Sequence, residues 1–326
     1  MNRPIKTDVG QAGEAAAVQP EVAPVAAAPA GTDLGTDSYL GIGEIERYSS
    51  KLDFDRACQQ SEATLANRYR FELALAALAG TSSLLIDCSI CRKQSRLVLH
   101  GGPETDPDWR ERGICSHCEL NCRTRLGLRL IDEGLDPYIE SVYLCEQTTP
   151  CFAWARRLFA HVSGSEFCPD AERRTILTEY LRGTLNDPHI ELDHQDLTAL
   201  DYSSNSFSRI GCFEVLEHVP DYHSALREMY RVMRVGGRVV ISVPFRHDLS
   251  STLVRAVIGD DDGVQHLMPA EYHGDPVGDG VLCFYHFGWD LLDAMRDVGF
   301  SDVEYVRHWS PSAGLLGLGG LIVANK

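Results

Sequence analysis

The chain has 326 residues, a formal net charge of −17 and 11 cysteines. This length provides one large domain and a smaller one, with a core that needs no disulfides, and the negative charge argues against a protein that grips a polyanion over a broad surface. An odd number of cysteines, six of them scattered singly, is typical of a reducing compartment, so we expect a cytoplasmic protein.

The N-terminal 36 residues are mostly Ala, Pro, Val and Gly without periodicity, which predicts a disordered tail. Glu14 and Glu21 interrupt this stretch, so no signal-peptide core forms. The apolar run at 314–324 is too short to span a bilayer, and we expect no membrane partner. From Ser38 to Gly80 the pattern is helical, with Gly80 at the expected stop.

Two Cys-x-x-Cys pairs, separated by 23 residues, follow this helical stretch. Each pair turns two sulfurs to one side, and four thiolates bind Zn²⁺ tetrahedrally at about 2.3 Å. The predicted ligands are Cys88, Cys91, Cys115 and Cys118. His117 and Cys122 are spare candidates that could replace one of them. A closed four-ligand site leaves no position for water, so we expect a structural zinc and assign residues 37–130 to a helix plus a small zinc-ribbon-like module.

The cysteine segment differs in charge from the rest of the chain. Residues 88–130 hold eight Lys or Arg against five acids, a net charge of +3. One interpretation is a site for an anionic substrate, including nucleic acid. We favour the other, in which the arginines of RTRLGLR (123–129) open a helix and pair with the acidic remainder of the chain. A nucleic-acid partner is therefore disfavoured.

From Asp136 onward the pattern alternates strands and helices. A helix is predicted in TPCFAWARRLF (149–159), with Thr149 as N-cap, and a second one is predicted to end at Gly236 and Gly237. The helix in GWDLLDAMRDVGF (288–300) ends at Gly299. Buried strands are predicted in SVYLCEQ (141–147), HVSGSEF (161–167), RIGCFEV (209–215), RVVISVPF (238–245), SDVEYVRHW (301–309) and GGLIVANK (319–326). This alternation predicts an α/β fold.

Three motifs stand in one order: DHQD (193–196), EVLEHVPD (214–221), and the helix that ends in Gly236 and Gly237. This order resembles the second half of a class I S-adenosylmethionine (SAM)-dependent methyltransferase of the type 11-like kind. With YLCEQTTP, GSEF, YHGDP and FGWDLL, the chain is similar to a bacterial subgroup that has an N-terminal zinc knuckle. The resemblance implies a Rossmann-like seven-stranded sheet formed by residues 131–326, with two antiparallel terminal strands.

The resemblance also implies a SAM site. Glu146 matches the acid that ends the first strand of the family. Glu166 matches the acid that binds the ribose hydroxyls, and Asp196 matches the acid after the third strand that contacts the adenine. The predicted cofactor-binding residues are Glu146, Thr148, Glu166, Asp196, Leu197 and Glu214. The family's Gly-x-Gly-x-Gly turn is absent, and Glu-Gln-Thr-Thr-Pro stands at 146–150. Because SAM has no pyrophosphate, threonine hydroxyls can serve the amino-acid end of the donor.

Residues 246–287 are inserted after the fifth strand and are rich in His, Asp, Tyr and Gly, which is typical of a lid or acceptor site. We predict His273 as the catalytic base, with His218 as the second candidate. A metal site from His247, His266, His273 and Asp275 is disfavoured, because no His-x-x-x-His or His-x-His pair is present.

The predicted function is methyl transfer from SAM to a small polar acceptor, a hydroxyl of a sugar or other metabolite. One alternative is an RNA base methyltransferase that uses the zinc knuckle to hold nucleic acid. The other is a non-catalytic methyltransferase-like binding protein. The sequence does not define the oligomeric state.

Overall fold

The computed structural model describes residues 45–78, 83–101, 107–261, 263–274, 280–317 and 319–326. The tail predicted at 1–36, the helix stop at Gly80 and the proposed metal ligand Asp275 lie outside them.

The described residues form eight α-helices and sixteen short or long strands. The helices are Lys51–Gln60 (α1), Glu62–Ala77 (α2), Trp109–Arg112 (α3), Cys122–Asp132 (α4), Pro150–Leu158 (α5), Ala171–Leu185 (α6), Tyr222–Val232 (α7) and Asp290–Val298 (α8). The strands up to the middle of the chain are Ile45–Tyr48 (β1), Leu84–Cys88 (β2), Lys93–Leu99 (β3), Gly113–Cys115 (β4), Ser141–Leu144 (β5), His161–Gly164 (β6), Phe207–Phe213 (β7) and Met233–Ser242 (β8). The later strands are Leu253–Val254 (β9), Ala256–Ile258 (β10), Val264–His266 (β11), Tyr272–His273 (β12), Val281–Leu282 (β13), Tyr285–His286 (β14), Ser301–His308 (β15) and Leu321–Asn325 (β16).

Seven of these strands form one mixed sheet in the order β1-β15-β16-β8-β7-β5-β6. The strands β6, β5, β7 and β8 are parallel. The strands β16, β15 and β1 run antiparallel to their neighbours. The predicted Rossmann-like, seven-stranded α/β fold is therefore confirmed, including the two antiparallel strands after the last helix.

The strands at the two edges of this sheet differ from those that the resemblance implies. The segment predicted as helical from Ser38 contributes β1, which pairs with β15 and supplies one edge strand. At the other edge, the expected third strand is a single bridge between Glu166 and His194. The DHQD sequence explains this reduction, because it lacks the branched and aromatic side chains that favour a strand.

The helix before β8 ends earlier than predicted. Its last residue is Val232, and the Gly236–Gly237 pair lies inside β8. Gly236 has φ +78°, and the pairing of β8 with β7 shifts register between Phe207 and Arg209. The glycines thus allow a bulge in the strand, because a residue without Cβ adopts this backbone at little cost.

The N-terminal module packs directly on the sheet. Its strands β2, β3 and β4 form a separate antiparallel sheet, and its buried Cys115 and Leu120 share an apolar cluster with Leu144 and Val240 of the large sheet. Helix α4 approaches β7 so closely that a Cβ on Gly127 would lie 2.6 Å from the Phe213 ring. The domain bounds 37–130 and 131–326 stay a prediction. From the first of these ranges, β1 is a strand of the large sheet and α4 packs on it.

The insert between β8 and α8 forms three small antiparallel pairs: β10 with β11, β12 with β13, and β9 with β14. A backbone bond from Phe284 N to Glu217 O (2.8 Å) ties the insert to the 3₁₀ turn Leu216–His218 that follows β7. None of the helices in the described ranges is both long and apolar enough to cross a bilayer.

Candidate active site

Three acidic residues predicted to hold the donor lie at the carboxyl ends of parallel strands. Glu146 follows β5, Glu166 follows β6 and Glu214 follows β7. In open α/β sheets, ligands bind in the crevice outside these strand ends. The structure therefore brings Glu146, Glu166 and Glu214 to one edge of the sheet.

One carboxylate oxygen of Glu166 holds the turn after β5. Oε1 accepts hydrogen bonds from the backbone nitrogens of Gln147 (2.9 Å) and Thr148 (2.8 Å) and from the Thr148 hydroxyl (2.7 Å). A carboxylate that gathers several donors orders a turn that has no glycine. All three of these bonds use Oε1, and none uses Oε2.

Asp196 and Leu197 follow the bridge residue His194 but have different surroundings. Oδ1 of Asp196 accepts from the Thr198 backbone (2.8 Å) and hydroxyl (2.7 Å), a local turn with the carboxylate at the surface. Leu197 is buried in the core cluster on one face of the sheet. The roles predicted for both residues stay predictions.

Glu146 is the most buried of the three acids at the strand ends. It is 8% exposed, and Oε1 has no hydrogen-bond partner among the described residues. Burial raises the pKa of Glu146 to about 7, although bonds from Thr149 and Cys151 act in the opposite direction. A buried carboxyl with one oxygen that lacks a partner suits a cationic group, because a cation restores the solvation that burial removed.

Glu146 lines a cleft of about 220 Å³ between the N-terminal module and the turn after β5. Ile114 and Leu120 belong to the module side, and Thr149 and Cys151 begin α5 on the other side. The Trp154 indole on α5 donates to the Cys118 carbonyl at 2.9 Å, which fixes the two walls to each other. The cysteine module is thus part of the cleft.

Glu214 is held by arginines of the N-terminal module. Its Oε1 lies 3.0 Å from Arg110 and 3.6 Å from Nε of Arg123, and Arg123 also donates to the Ser242 hydroxyl at 3.2 Å. Burial opposes ionisation of Glu214, but the two guanidinium groups outweigh it and lower its pKa. Arg123 thus pairs with an acid outside the basic segment, as we expected for the arginines of 123–129. The Glu214 carboxylate is already paired with arginine side chains.

The four predicted zinc ligands converge. Their sulfurs lie within 4.8 Å of one another, with Cys88 and Cys118 at 3.9 Å and Cys91 and Cys115 at 3.6 Å. Tetrahedral Zn²⁺ with bonds of about 2.3 Å separates sulfurs by about 3.8 Å, so the donor set fits the metal. The Cys122 thiol instead donates to the Gly314 carbonyl at 3.1 Å, and the His117 ring lies against Trp154.

His218 and His273, the two predicted bases, lie against each other with ring centroids 4.9 Å apart. Both face Glu217: Oε1 lies 3.5 Å from Nδ1 of His273 and 3.7 Å from Nε2 of His218. Glu217 is fully buried, and neither of its carboxylate oxygens has a hydrogen-bond partner among the described residues. Burial raises the pKa of Glu217, whereas the neighbouring Cys283 and Glu217 raise the pKa of His273 to about 11.

The sequence reasoning did not single out Glu217, Glu271, Cys283 or His286, which surround the two histidines. Glu217 lies next to His218 in the EVLEHVPD motif, so its position in the motif was the one signal that pointed to it. Oε1 of Glu271 lies 3.2 Å from Nε2 of His273 and 3.0 Å from Nε2 of His286. Glu271 lies two residues before His273, whereas Cys283 and His286 come from the segment of β13 and β14, and no sequence spacing connects those two with His218.

Among the described members of the metal group considered from the sequence, His247 and His266 do not group with His273. Among the described residues that could hold a metal, His273 groups with Glu217 and His218, and also with Glu271 and Cys283. The His247 ring instead packs against Phe54 at 5.4 Å, and His266 is exposed on β11.

Residues 145–305 match the family model of a methyltransferase domain. The order of the seven-stranded sheet agrees with the Rossmann-like fold of class I methyltransferases. The matched segment runs from the end of β5 into β15.

Characterised relatives match shorter stretches. The methyltransferase GfsG of Streptomyces halstedii is 33% identical over 91 residues, which are 28% of this chain and 32% of that protein. The ubiquinone biosynthesis O-methyltransferase of Aeromonas salmonicida is 43% identical over 56 residues, 16% of this chain and 24% of that protein. The chain thus spans about a third or less of the length of these relatives.

Solved structures are similar at lower identity. A SAM-dependent methyltransferase from Mesorhizobium loti has a TM-score of 0.41 and 18% identity over 61% of this chain and 96% of that chain. A chain in the complex between the Haloferax volcanii Trm112 methyltransferase activator and a methyltransferase has a TM-score of 0.41 and 12% identity, over 62% of this chain and 90% of that chain.

Proposed function

We propose that the protein transfers the methyl group of SAM to a hydroxyl of a small polar acceptor, a sugar or other metabolite, held beneath the insert 246–287. The observation that carries this proposal is the convergence of His218 and His273 on the buried Glu217, directly after β7. The Aeromonas salmonicida relative is named for O-methyl transfer, which supports an oxygen acceptor.

The donor site follows from the strand ends. Oε2 of Glu166 would accept the ribose hydroxyls while Oε1 holds the turn, and Asp196 with Leu197 would border the adenine. Glu146 would accept the donor's ammonium group in the cleft, beside Thr148. Glu214 would keep the module in place through Arg110 and Arg123. When bound, SAM supplies a methyl group on a positively charged sulfonium.

The cluster of Glu217, His218 and His273 would activate the acceptor. Methyl transfer forms a bond between the acceptor oxygen and the methyl carbon as the carbon–sulfur bond breaks, and the hydroxyl proton must leave. The cluster lies next to the strand ends and reaches the surface through His273, whose side chain is 28% exposed. The hydroxyl proton would pass to the imidazole of the pair that is neutral, the role that the sequence predicts for His273 or His218.

The cysteine quartet would hold a structural Zn²⁺. Four thiolates complete its coordination, so the metal would stabilise the module and leave the chemistry to the residues described above. A cytoplasmic location agrees with this proposal, because all cysteines of the described residues are free thiols.

Calorimetry with SAM and with its demethylated product tests the donor site. We expect both to bind in the micromolar range or tighter, and no binding of either would make the protein a non-catalytic relative. Salt-dependent binding of RNA, with methylation of a base, would favour the nucleic-acid alternative.

Rates of single turnover test the cluster. His273→Ala should lower the chemical step about a hundredfold or more, with SAM affinity nearly unchanged, because the residue acts in the transition state. His266→Ala, an exposed histidine of the same insert, is the matched control and should react like the parent. A rate of His273→Ala within a few-fold of the parent would move the search to His218.

A further inference from the structure

Glu217 lacks the partner that a buried carboxylate requires. Its side chain is 0% exposed, and both oxygens have no hydrogen-bond partner among the described residues. Burying an ionised carboxylate without compensation is costly, so native proteins pair such a group, protonate it or bind a metal with it. The neighbours of Glu217 discriminate between these solutions.

Two imidazole nitrogens face Oε1 of Glu217, Nδ1 of His273 at 3.5 Å and Nε2 of His218 at 3.7 Å. The three atoms all lie within 4.8 Å of one another. A cation with bonds of about 2.1 Å separates neighbouring ligands by about 3.0–3.4 Å. The two distances from Oε1 of Glu217 to the imidazole nitrogens therefore need to shorten by only a few tenths of an ångström around such a cation. A proton on Nδ1 of His273 would give Glu217 one donor. It would still leave the lone pair on Nε2 of His218 facing the negative carboxylate.

The second nitrogen of each imidazole is already bonded to an acceptor. Nδ1 of His218 donates to the Leu282 carbonyl at 2.8 Å, which leaves Nε2 with its lone pair. Nε2 of His273 lies 3.2 Å from Glu271, and Glu271 is held by Arg255 at 3.0 Å. Metal-binding histidines characteristically donate their other N–H to a carbonyl or carboxylate, which fixes the tautomer and ring orientation.

We infer that Glu217, His218 and His273 bind a divalent transition-metal ion such as Mn²⁺, Co²⁺ or Zn²⁺. Two imidazoles and a carboxylate suit these ions better than Mg²⁺, which prefers oxygen ligands. The side chains of His218 and His273 are 13% and 28% exposed, so further positions on the ion face the surface.

The role of this ion rests on the proposed function. The cation would lower the pKa of an acceptor hydroxyl bound to it, as it does for metal-bound water, so that the hydroxyl loses its proton to water more readily. The resulting oxygen would then attack the methyl carbon. In that arrangement His218 and His273 are ligands, and the cation, in place of a free imidazole, stabilises the charge of the oxygen. The binding site itself does not depend on that function.

Mn²⁺ is the probe that tests the site, because thiolates bind it poorly and the cysteine quartet will not compete. Mn²⁺ titrated into the full-length, as-purified protein, freed of loosely bound metal by dialysis and followed by electron paramagnetic resonance, should bind at about one ion per chain. Glu217→Gln and His273→Ala should weaken binding at least a hundredfold. His266→Ala should bind like the parent.

If a variant folds poorly, the shift of its Tm on addition of Mn²⁺ provides a second test. Mn²⁺ should raise the Tm of the parent and of His266→Ala, but leave the Tm of Glu217→Gln unchanged. No Mn²⁺ binding by the parent at millimolar concentration, or equal binding by Glu217→Gln, overturns the site. Binding of Mn²⁺ without any change in the methylation rate would retain the site and overturn its role, whereas failure to bind SAM would reject the proposed function alone.

Discussion

Oε1 of Glu166 lies 2.8 Å from the backbone nitrogen of Thr148, across the edge of the sheet where the donor is proposed to bind. The turn that ends β5 therefore takes its order from a carboxylate on the neighbouring strand. In the family that the chain resembles, glycines shape this turn. Here the same acid would both hold the turn and contact the ribose, so turn geometry and donor binding depend on one side chain.

Removal of the Glu166 carboxylate should weaken SAM binding. Glu166→Ala should cost about 1.5–3 kcal/mol of binding free energy, the range for hydrogen bonds to a charged group. It should also lower the Tm, because three donors of the turn lose their acceptor. Glu166→Gln keeps an oxygen for the turn and should retain more of the Tm. If Glu166→Ala binds SAM as tightly as the parent while Asp248→Ala does not, the alignment of the strands is wrong.

Donor binding should depend on pH through Glu146. Its pKa is raised to about 7, so the carboxyl is neutral below that pH and loses its attraction for an ammonium group. SAM affinity should fall roughly five- to tenfold from pH 7.5 to pH 6, as the ionised fraction falls. Calorimetry across this range measures the effect. Glu146→Gln should flatten the profile, and 5′-methylthioadenosine, which has no ammonium, should show no such decline with the parent. An identical decline with that ligand would exclude Glu146 as the cause.

Zinc should be required for the N-terminal module. Purified protein should contain about one Zn²⁺ per chain, and Cys115→Ser should lose it and unfold at lower temperature, because metal binding there contributes to folding. SAM affinity should fall as well, since Ile114 and Leu120 form part of the cleft that contains Glu146. Elemental analysis of protein purified without chelator checks the first point. Cys58→Ser, outside the quartet, is the control. A zinc-free parent protein would disprove the assignment.

The edge strand β1 should depend on a partly buried ion pair. Glu46 accepts from Arg307 at 2.6 and 3.0 Å and from Arg68 at 2.7 Å; burial opposes its ionisation, but the two arginines outweigh it and lower its pKa. Arg307→Met should lower the free energy of unfolding by about 2–4 kcal/mol, because Glu46 loses its closest partner. Arg47→Met, on the same strand but in exposed pairs, should cost under about 1 kcal/mol. Denaturant unfolding measures both, and equal losses would contradict the proposed importance of the pair.

Local sequence patterns determined much of the fold. The apolar runs that became β5, β7 and β8, the N-cap Thr149 and the stop at Gly299 are all encoded within a few residues, because burial periodicity and capping act over one or two turns. The cysteine quartet was predictable for the same reason, since its two knuckles bring sulfurs together through short turns. The EVLEHVPD motif likewise predicts that His218 lies just beyond the end of a buried strand.

Tertiary structure alone decided which distant segments meet. A short strand such as β1 has too few residues to reveal its partner, and only the edge of β15 makes it a strand rather than a continuation of the helical pattern. His273 is 55 residues from His218, and their approach to Glu217 depends on how the insert folds back over β7. The sequence likewise does not predict that the Glu217 carboxylate is buried without a hydrogen-bond partner, because both properties depend on the residues that pack around it. Sequence patterns thus determined the elements and the motif residues, whereas packing over long loops decided the edges of the sheet and the composition of the histidine cluster.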